Sequence, residues 1–211
     1  MNPVSMRHET KLRKQGINII AGVDEVGIGP LAGPVVACAV ILREAAKIKG
    51  LDDSKKLTRE KREELYGVIM DSSVSIGIGI VDNSVIDSMN ILQASYRAIR
   101  MALESLSIRP EHILIDGIRK VPKVALPQIC VKHGDAICSS IAAASIVAKV
   151  IRDSIMDNYD LIYPQYGFSD HKGYGTEEHL KNLKKFGPTS IHRVSYEPVL
   201  KSLLLKGYLF C

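Results

Sequence analysis

Residues 22–35 read Gly-Val-Asp-Glu-Val-Gly-Ile-Gly-Pro-Leu-Ala-Gly-Pro-Val. An apolar run ends in an acidic pair, Asp24 and Glu25, and a turn rich in glycine and proline follows at once. On either side, residues 17–24 and 35–42 are apolar and read as strands. Pro30 and Pro34 forbid a regular helix between them, so the two strands form a hairpin rather than the start of a βα unit. In a continuing strand, side chains 24 and 25 point to opposite faces. They serve one site only if the chain bends there or if Glu25 offers its backbone carbonyl. Gly27 and Gly29 permit such a bend. Taken alone, the segment reads equally well as a strand ending in a solvated acidic turn.

Further along, Val74, Ile76, Ile78 and Ile80 alternate with Ser75, Gly77 and Gly79, which predicts a third strand with one apolar face. Residues 52–56 read as a polar loop, and 58–70 as a helix capped by Thr58. Val85, Met89, Leu92, Tyr96, Ile99, Leu103 and Leu106 recur at spacings of four and three, a helical stripe that packs on the sheet. Met89 and Tyr96 belong to that core and receive no functional role. Residues 112–116 form a short buried strand with Asp116 at its end and Gly117 next. Residues 124–131 read as a fifth strand, at an edge or bent because of Pro127. A long helical pattern runs from 136 to about 159, with Asp135 at its start either capping free N–H groups or pointing into a site. Shorter helices are expected near 177–186 and 196–206. This order predicts an α/β domain built on a mixed five-stranded sheet flanked by helices.

With 211 residues and 46% apolar composition, the chain can bury a substantial core as one domain. Arg7, Lys11, Arg13 and Lys14 crowd the first residues in place of a hydrophobic leader. The longest apolar stretch, 31–42, is too short to span a bilayer, so a soluble, cytoplasmic protein is expected. Cys38, Cys130, Cys138 and Cys211 show no C-x-x-C pairing and suit reduced thiols. Cys130, His133 and Cys138 lack a fourth ligand at zinc-finger spacing, and a zinc site is set aside. A formal net charge of +5 suggests a polyanionic partner. The cations gather in Lys55-Lys56-x-x-Arg59-x-Lys61-Arg62, Arg119-Lys120-x-x-Lys123 and Lys181-x-x-Lys184-Lys185, each of which reads equally as a solvated surface.

Three separate segments thus deliver acids at the ends of regular elements: Asp24-Glu25, Asp116 and Asp135. Ionised carboxylates gathered in a partly dry cleft raise one another's pKa unless a cation neutralises them. Oxygen-only ligands suit Mg²⁺ or Mn²⁺. On a basic protein such a cluster suits phosphodiester chemistry, in which two ions roughly 4 Å apart activate water and stabilise the leaving oxygen. A dinucleotide-binding reading of the glycine-rich turn is weaker. Its spacing is G-x-G-x-x-x-G, and the helix that should hold a pyrophosphate is missing.

The run from Gly22 to Val36, the later Asp53-Ser54-Lys55-Lys56-Leu57, Ile115-Asp116-Gly117, Gly134-Asp135-Ala136 and Ala142-Ala143-Ala144-Ser145-Ile146-Val147-Ala148-Lys149-Val150-Ile151-Arg152-Asp153 together resemble ribonuclease HII. So do Tyr166-Gly167-Phe168, His171-Lys172-Gly173-Tyr174-Gly175-Thr176 and Ile191-His192-Arg193-x-Ser195-Tyr196-x-Pro198-Val199. The similarity runs from about 18 to 200 in the family's order. It implies a ribonuclease H-like fold, with a basic segment at 1–17, a catalytic domain at 18–190 and a helical extension at 191–211. It also implies an endonuclease that cuts the RNA strand of RNA–DNA hybrids and cuts 5′ of single ribonucleotides in duplex DNA, leaving 3′-hydroxyl and 5′-phosphate ends. Asp24, Glu25, Asp116 and Asp135 match the acids that hold two catalytic Mn²⁺ or Mg²⁺ ions. Gly27 and Gly29 let the backbone approach the ribose, Tyr174 lies against the sugar at the RNA–DNA junction, and Lys55 and Lys56 meet phosphate. Asp153 falls in a matching motif but reads as structural. Where the family usually carries Gly-Arg-Gly, this chain has Gly27-Ile28-Gly29, so an arginine that meets phosphate is replaced by an apolar side chain. Metal binding is expected to survive and hold on the junction to weaken. A monomer is expected. A sliding clamp is a candidate partner, although the apolar 203–210 segment is expected to pack back onto the domain. A non-catalytic module that grips hybrids with its basic clusters is the alternative of a different class, and metal-dependent cleavage separates the two.

Overall fold

The computed structural model describes residues 4–44 and 46–205. Strands β1 (Ile20–Val26) and β2 (Val35–Leu42) form the expected antiparallel hairpin, and β3 (Ser73–Val81) continues the antiparallel pairing beyond β2. Strands β4 (His112–Asp116) and β5 (Gln128–Val131) add in parallel on the other side, giving the order β3-β2-β1-β4-β5. All eight residues of β2 are buried, as expected for an uninterrupted apolar run covered on both faces. Each fully buried valine, isoleucine or leucine there contributes about 1.5–3 kcal/mol.

Helices α1 (Arg7–Arg13), α2 (Arg59–Ser72), α3 (Asn83–Met89), α4 (Ile91–Glu104), α5 (Ser139–Ile162), α6 (Phe168–His171), α7 (Glu177–Phe186) and α8 (Glu197–Leu205) surround the sheet. Helix α4 packs on one face against Ala21, Val23, Ala37 and Ala39. Helix α5 covers the other with Ala143, Ala144 and Val147, against Val36, Cys38 and Val40. At Gly22 a Cβ would stand 2.1 Å from the carbonyl carbon of Ser140, so the start of α5 crosses β1 at backbone contact. No described helix is long and apolar enough to cross a membrane.

The structure corrects four expectations. In β3 the buried face is the serine and glycine face, while Val74, Ile78 and Ile80 are exposed. The cause is close approach of α4: a Cβ on Gly77 or Gly79 would lie 2.0 or 1.9 Å from the carbonyl oxygen of Ala102 or Ala98. The long stripe after Ser84 is two helices rather than one. Asn90 breaks it at φ +73, and its side chain caps α4 through the Gln93 N–H. The face of α4 turned inward is Ala94, Ser95, Ala98, Ile99 and Ala102, and Leu92 is exposed. The fifth strand shrinks to four residues after Pro127, because residues 121–127 close a loop onto the Gln128 amide. The long helix starts at Ser139, after a 3-10 turn over Gly134–Ala136. Its first turn is capped from a distance: the buried Glu9 carboxylate on α1 accepts the Ser140 N–H at 2.8 Å. Thr58 caps α2 and Thr176 caps α7 as Ncap side chains.

Candidate active site

The four acids converge on the end of β1 and β4. Strand β1 runs on through Glu25 to Val26 without bending, so Asp24 and Glu25 do point to opposite faces. Asp24 turns toward α5 and Glu25 toward α4, where the nearby Ser145 and Ser95 hydroxyls favour their charged forms. Asp116, at the end of the neighbouring β4, lies within electrostatic reach of both. The adjacent pair therefore stands on the two faces of the sheet at the end of its central strand, each within electrostatic reach of Asp116. Asp116 is held by the Gly134 N–H at 2.7 Å, and Asp135 follows in the same 3-10 turn, so one short segment orients both acids. Asp135 caps no helix, since α5 begins at Ser139.

The electrostatics are those of a crowded anionic cleft. Burial, then the charges of Glu25 and Asp116, holds the Asp24 carboxyl well above the usual carboxylate range. Burial and then Asp116 push Glu25 up to about 7, against the Ser95 hydroxyl and the Lys55 ammonium. Burial, Asp116 and Asp53 raise Asp135. As the side chains stand, no three His, Cys, Asp or Glu among the described residues are drawn together as ligands of one ion. The donor set nevertheless suits a hard divalent cation: every donor is oxygen, and the repulsion that raises these carboxyls is what a cation relieves. Cys130, His133 and Cys138 likewise form no metal centre among the described residues.

The other expected residues separate into groups. Lys55 reaches the cluster, with its Nζ 3.9 Å from Asp135 and its side chain largely exposed. Lys56 pairs instead with Asp52 at 3.3 Å. Gly27 takes φ +97, and a Cβ there would meet Arg152 Nε at 2.4 Å, so this glycine is needed for the turn to close on its support. Ile28 is exposed at 45%. Gly29 faces the Tyr174 ring, whose edge lies 3.4 Å from where a Cβ would stand. Ile28, Leu92, Tyr96 and Ile118 line a cavity of about 170 Å³ with Glu25 and Asp116. A larger cavity, of about 350 Å³ beside Leu103 and Lys123, contains none of the four acids. Asp153 is buried in an ion-pair network with Lys149 at 2.6 Å and Arg62 at 3.4 Å.

Sequence reasoning assigned no role to the supporting groups. Ser95 and Ser145 are buried polar residues within alanine-rich helix faces, and that isolation was the available signal. Ser54 bonds Ser145 at 2.9 Å, while Arg62 donates to the Ser54 and Leu57 carbonyls, so the loop bearing Lys55 is tied to the residue that holds Asp24. Arg152 and Arg193 are wholly buried under the glycine turn, and no carboxylate lies within ion-pair distance of either among the described residues. Arg152 donates to the carbonyls of Ala32, Pro34 and Lys172, and Arg193 to those of Gly27, Ile28 and Gly33.

Comparison with known proteins follows the same residues. The family model described as Ribonuclease HII matches residues 21–199. A ribonuclease HII from Geotalea daltonii is 51% identical over 197 residues, covering 93% of this chain and 91% of the relative. The crystal structure of ribonuclease H2 from Pyrococcus horikoshii OT3 superposes with a TM-score of 0.72 at 30% identity, over 87% of this chain and 96% of that one. Bst ribonuclease HIII in complex with Mn²⁺ shares the fold with a TM-score of 0.66 at 20% identity, over 89% and 70%. The matched span reaches from the strand that carries Asp24 to the helix after Arg193, and the sheet is shared with the solved relative: the chain belongs to the ribonuclease HII family and is a ribonuclease H endonuclease.

Proposed function

We propose that this enzyme hydrolyses the phosphodiester 5′ of a ribonucleotide, in RNA–DNA hybrids and at single ribonucleotides embedded in duplex DNA, using Asp24, Glu25, Asp116 and Asp135. The observation that carries this reading is the convergence of four carboxylates, three of them raised, on one sheet end of a basic protein. Two Mn²⁺ or Mg²⁺ ions held by these oxygens would supply an activated water and charge neutralisation at the leaving oxygen. The water oxygen bonds to phosphorus as the bond to the 3′-oxygen breaks, and that oxygen takes up a proton, leaving 3′-hydroxyl and 5′-phosphate ends.

The chain's own groups prepare this step. The Ser145 and Ser95 hydroxyls favour the ionised forms of Asp24 and Glu25 on the two faces, and the Gly134 N–H fixes the Asp116 carboxylate. Without a cation, burial and Asp116 push Glu25 up to about 7, so binding of a divalent ion there would release a proton. Lys55 offers an exposed ammonium to a phosphate beside Asp135, and Lys56 lies one residue further along the same loop. Gly29 and the Tyr174 ring stand side by side at close range, so the bare backbone of the turn and the ring offer adjoining surfaces to a sugar, where a 2′-hydroxyl separates RNA from DNA.

Incubation with a duplex holding one ribonucleotide, with Mn²⁺ and with chelator, tests the reading. Metal-dependent cleavage with a 5′-phosphate on the ribonucleotide product is expected. Binding of the duplex without such cleavage would overturn it.

A further inference from the structure

Behind Tyr174 lies a run of hydrogen bonds whose direction is set at both ends. The Thr189 N–H lies 2.9 Å from His192 Nδ1, so that nitrogen accepts and His192 carries its proton on Nε2. His192 Nε2 is 3.0 Å from His179 Nε2, which must then accept. His179 carries its proton on Nδ1 and donates it to the Tyr174 carbonyl at 2.8 Å. Both imidazoles are buried and neutral in this arrangement, and their ring nitrogens are all used. His171 stacks on His179 at 4.5 Å and is itself bound at both nitrogens, by the Gly173 N–H and the Tyr166 carbonyl. Tyr166 and Phe168 close around the three rings.

The neighbouring residue in the chain acts on the glycine turn. Arg193 donates to Gly27 O at 2.5 Å, Ile28 O at 3.0 Å and Gly33 O at 2.9 Å, and its own N–H bonds Leu31 O at 2.8 Å. Consecutive residues of one short segment therefore hold the glycine turn on one side and Tyr174 on the other. The placement of the Tyr174 backbone beside the glycine turn is set from beneath by 189–193.

We propose that His179 and His192 are positioning residues for substrate selection: the Thr189–His192–His179 run fixes the Tyr174 backbone beside the glycine turn, so that the ring meets the sugar after the ribonucleotide and selects a deoxynucleotide there. This rests on the proposed role of Tyr174. It assigns the two histidines to the junction rather than to bond cleavage, which they do not touch.

The test is a double-mutant cycle read as a preference, kcat/KM for a single embedded ribonucleotide divided by kcat/KM for an all-RNA strand in a hybrid. Tyr174→Ala is expected to lower this ratio, about fivefold to tenfold. His192→Leu, which fills the space but cannot donate, is expected to lower it similarly, and His192→Gln, whose amide can still donate to His179, to keep most of it. In the Tyr174→Ala background His192→Leu should have no further effect on the ratio, whereas a general loss of structure would add to it. Mn²⁺ affinity by titration calorimetry should stay at the parent value in each histidine variant. Additive losses, or equal losses for the Leu and Gln variants, would overturn the inference while leaving Tyr174 in place. A Tyr174→Ala enzyme with the parent's preference would remove both. Should the histidine variants fail to fold, ¹⁵N spectra of the unaltered protein decide: an Nδ1-protonated His179 beside an Nε2-protonated His192 is expected, and the opposite tautomers would refute the arrangement.

Discussion

Acidification should weaken the folded state at His179 and His192, to an extent that can be worked from their surroundings. Burial comes first, and it pulls His179 from 6.5 to about 4 and His192 from 6.5 to about 3. Because the folded values lie below the unfolded one, the unfolded chain takes up protons first as pH falls. Stability is complete above the unfolded value of 6.5 and is lost progressively as pH drops toward the folded values. At pH ~5 each histidine then costs about 2 kcal/mol, from about 1.5 units below the unfolded value at 1.36 kcal/mol per unit. The raised carboxyls act with the opposite sign. Glu25, at about 7, together with Asp24 and Asp135, binds protons more readily in the folded state, so the same acidification relieves their repulsion. The parent's stability curve alone is therefore a sum of opposed contributions. A difference of differences isolates the histidine: urea unfolding of the parent and of His192→Leu, each at pH ~7.5 and ~5. The parent is expected to lose about 2 kcal/mol more than the variant over this interval. Equal losses would mean that His192 is not held neutral in the folded protein, and the directional hydrogen-bond run would fall with it.

Three further outcomes can be checked. Gly79→Ala forces a Cβ to within 1.9 Å of Ala98 O and should cost at least ~1–3 kcal/mol in urea unfolding, whereas Gly67→Ala, open to solvent within α2, should gain about 0.5–1 kcal/mol; a neutral Gly79→Ala would contradict the backbone contact of α4 with β3. Asp116→Asn keeps an oxygen for the Gly134 N–H but removes the charge that raises Asp24 and Glu25, so it should abolish cleavage, by ~100-fold or more, while melting in chelator no lower than the parent; retained activity would exclude Asp116 from the chemistry. Ile28→Arg adds a cation at an exposed position of the turn and should tighten duplex binding and steepen its salt dependence by about one released counterion; an unchanged affinity, salt slope and turnover would remove position 28 from the interface.

Residues whose environment is written in local order were legible in the chain. The limits of β2, β4 and α7 follow from an unbroken apolar run, a short run stopped at Asp116-Gly117, and a capping threonine with a closing glycine. Alternation in β3 revealed a strand but not its orientation, because period two is silent on which face a helix will cover. There, helix backbone needed the absence of side chains at Gly77 and Gly79 more than the core needed isoleucine. The acids could be named from the elements they terminate, yet their convergence depends on β1 lying beside β4, a pairing between residues about ninety positions apart. Ser145 behind Asp24, Glu9 at the start of α5 and Arg193 under Gly27 are longer-range still, and nothing in their local sequence points to those partners. The clamp reading could be followed only as far as Leu205, since 206–211 lie outside the described residues.

The buried guanidiniums of Arg152 and Arg193 carry a consequence for how this enzyme meets a polyanion. Burial and the neighbouring Arg193 lower Arg152 only to about 10, so it stays protonated at neutral pH, and its bonds go to neutral carbonyls rather than to an acid. A charge left uncompensated in poorly solvated surroundings projects its field farther than one at the surface. Attraction for an approaching nucleic-acid backbone is thereby rooted partly in the scaffold itself.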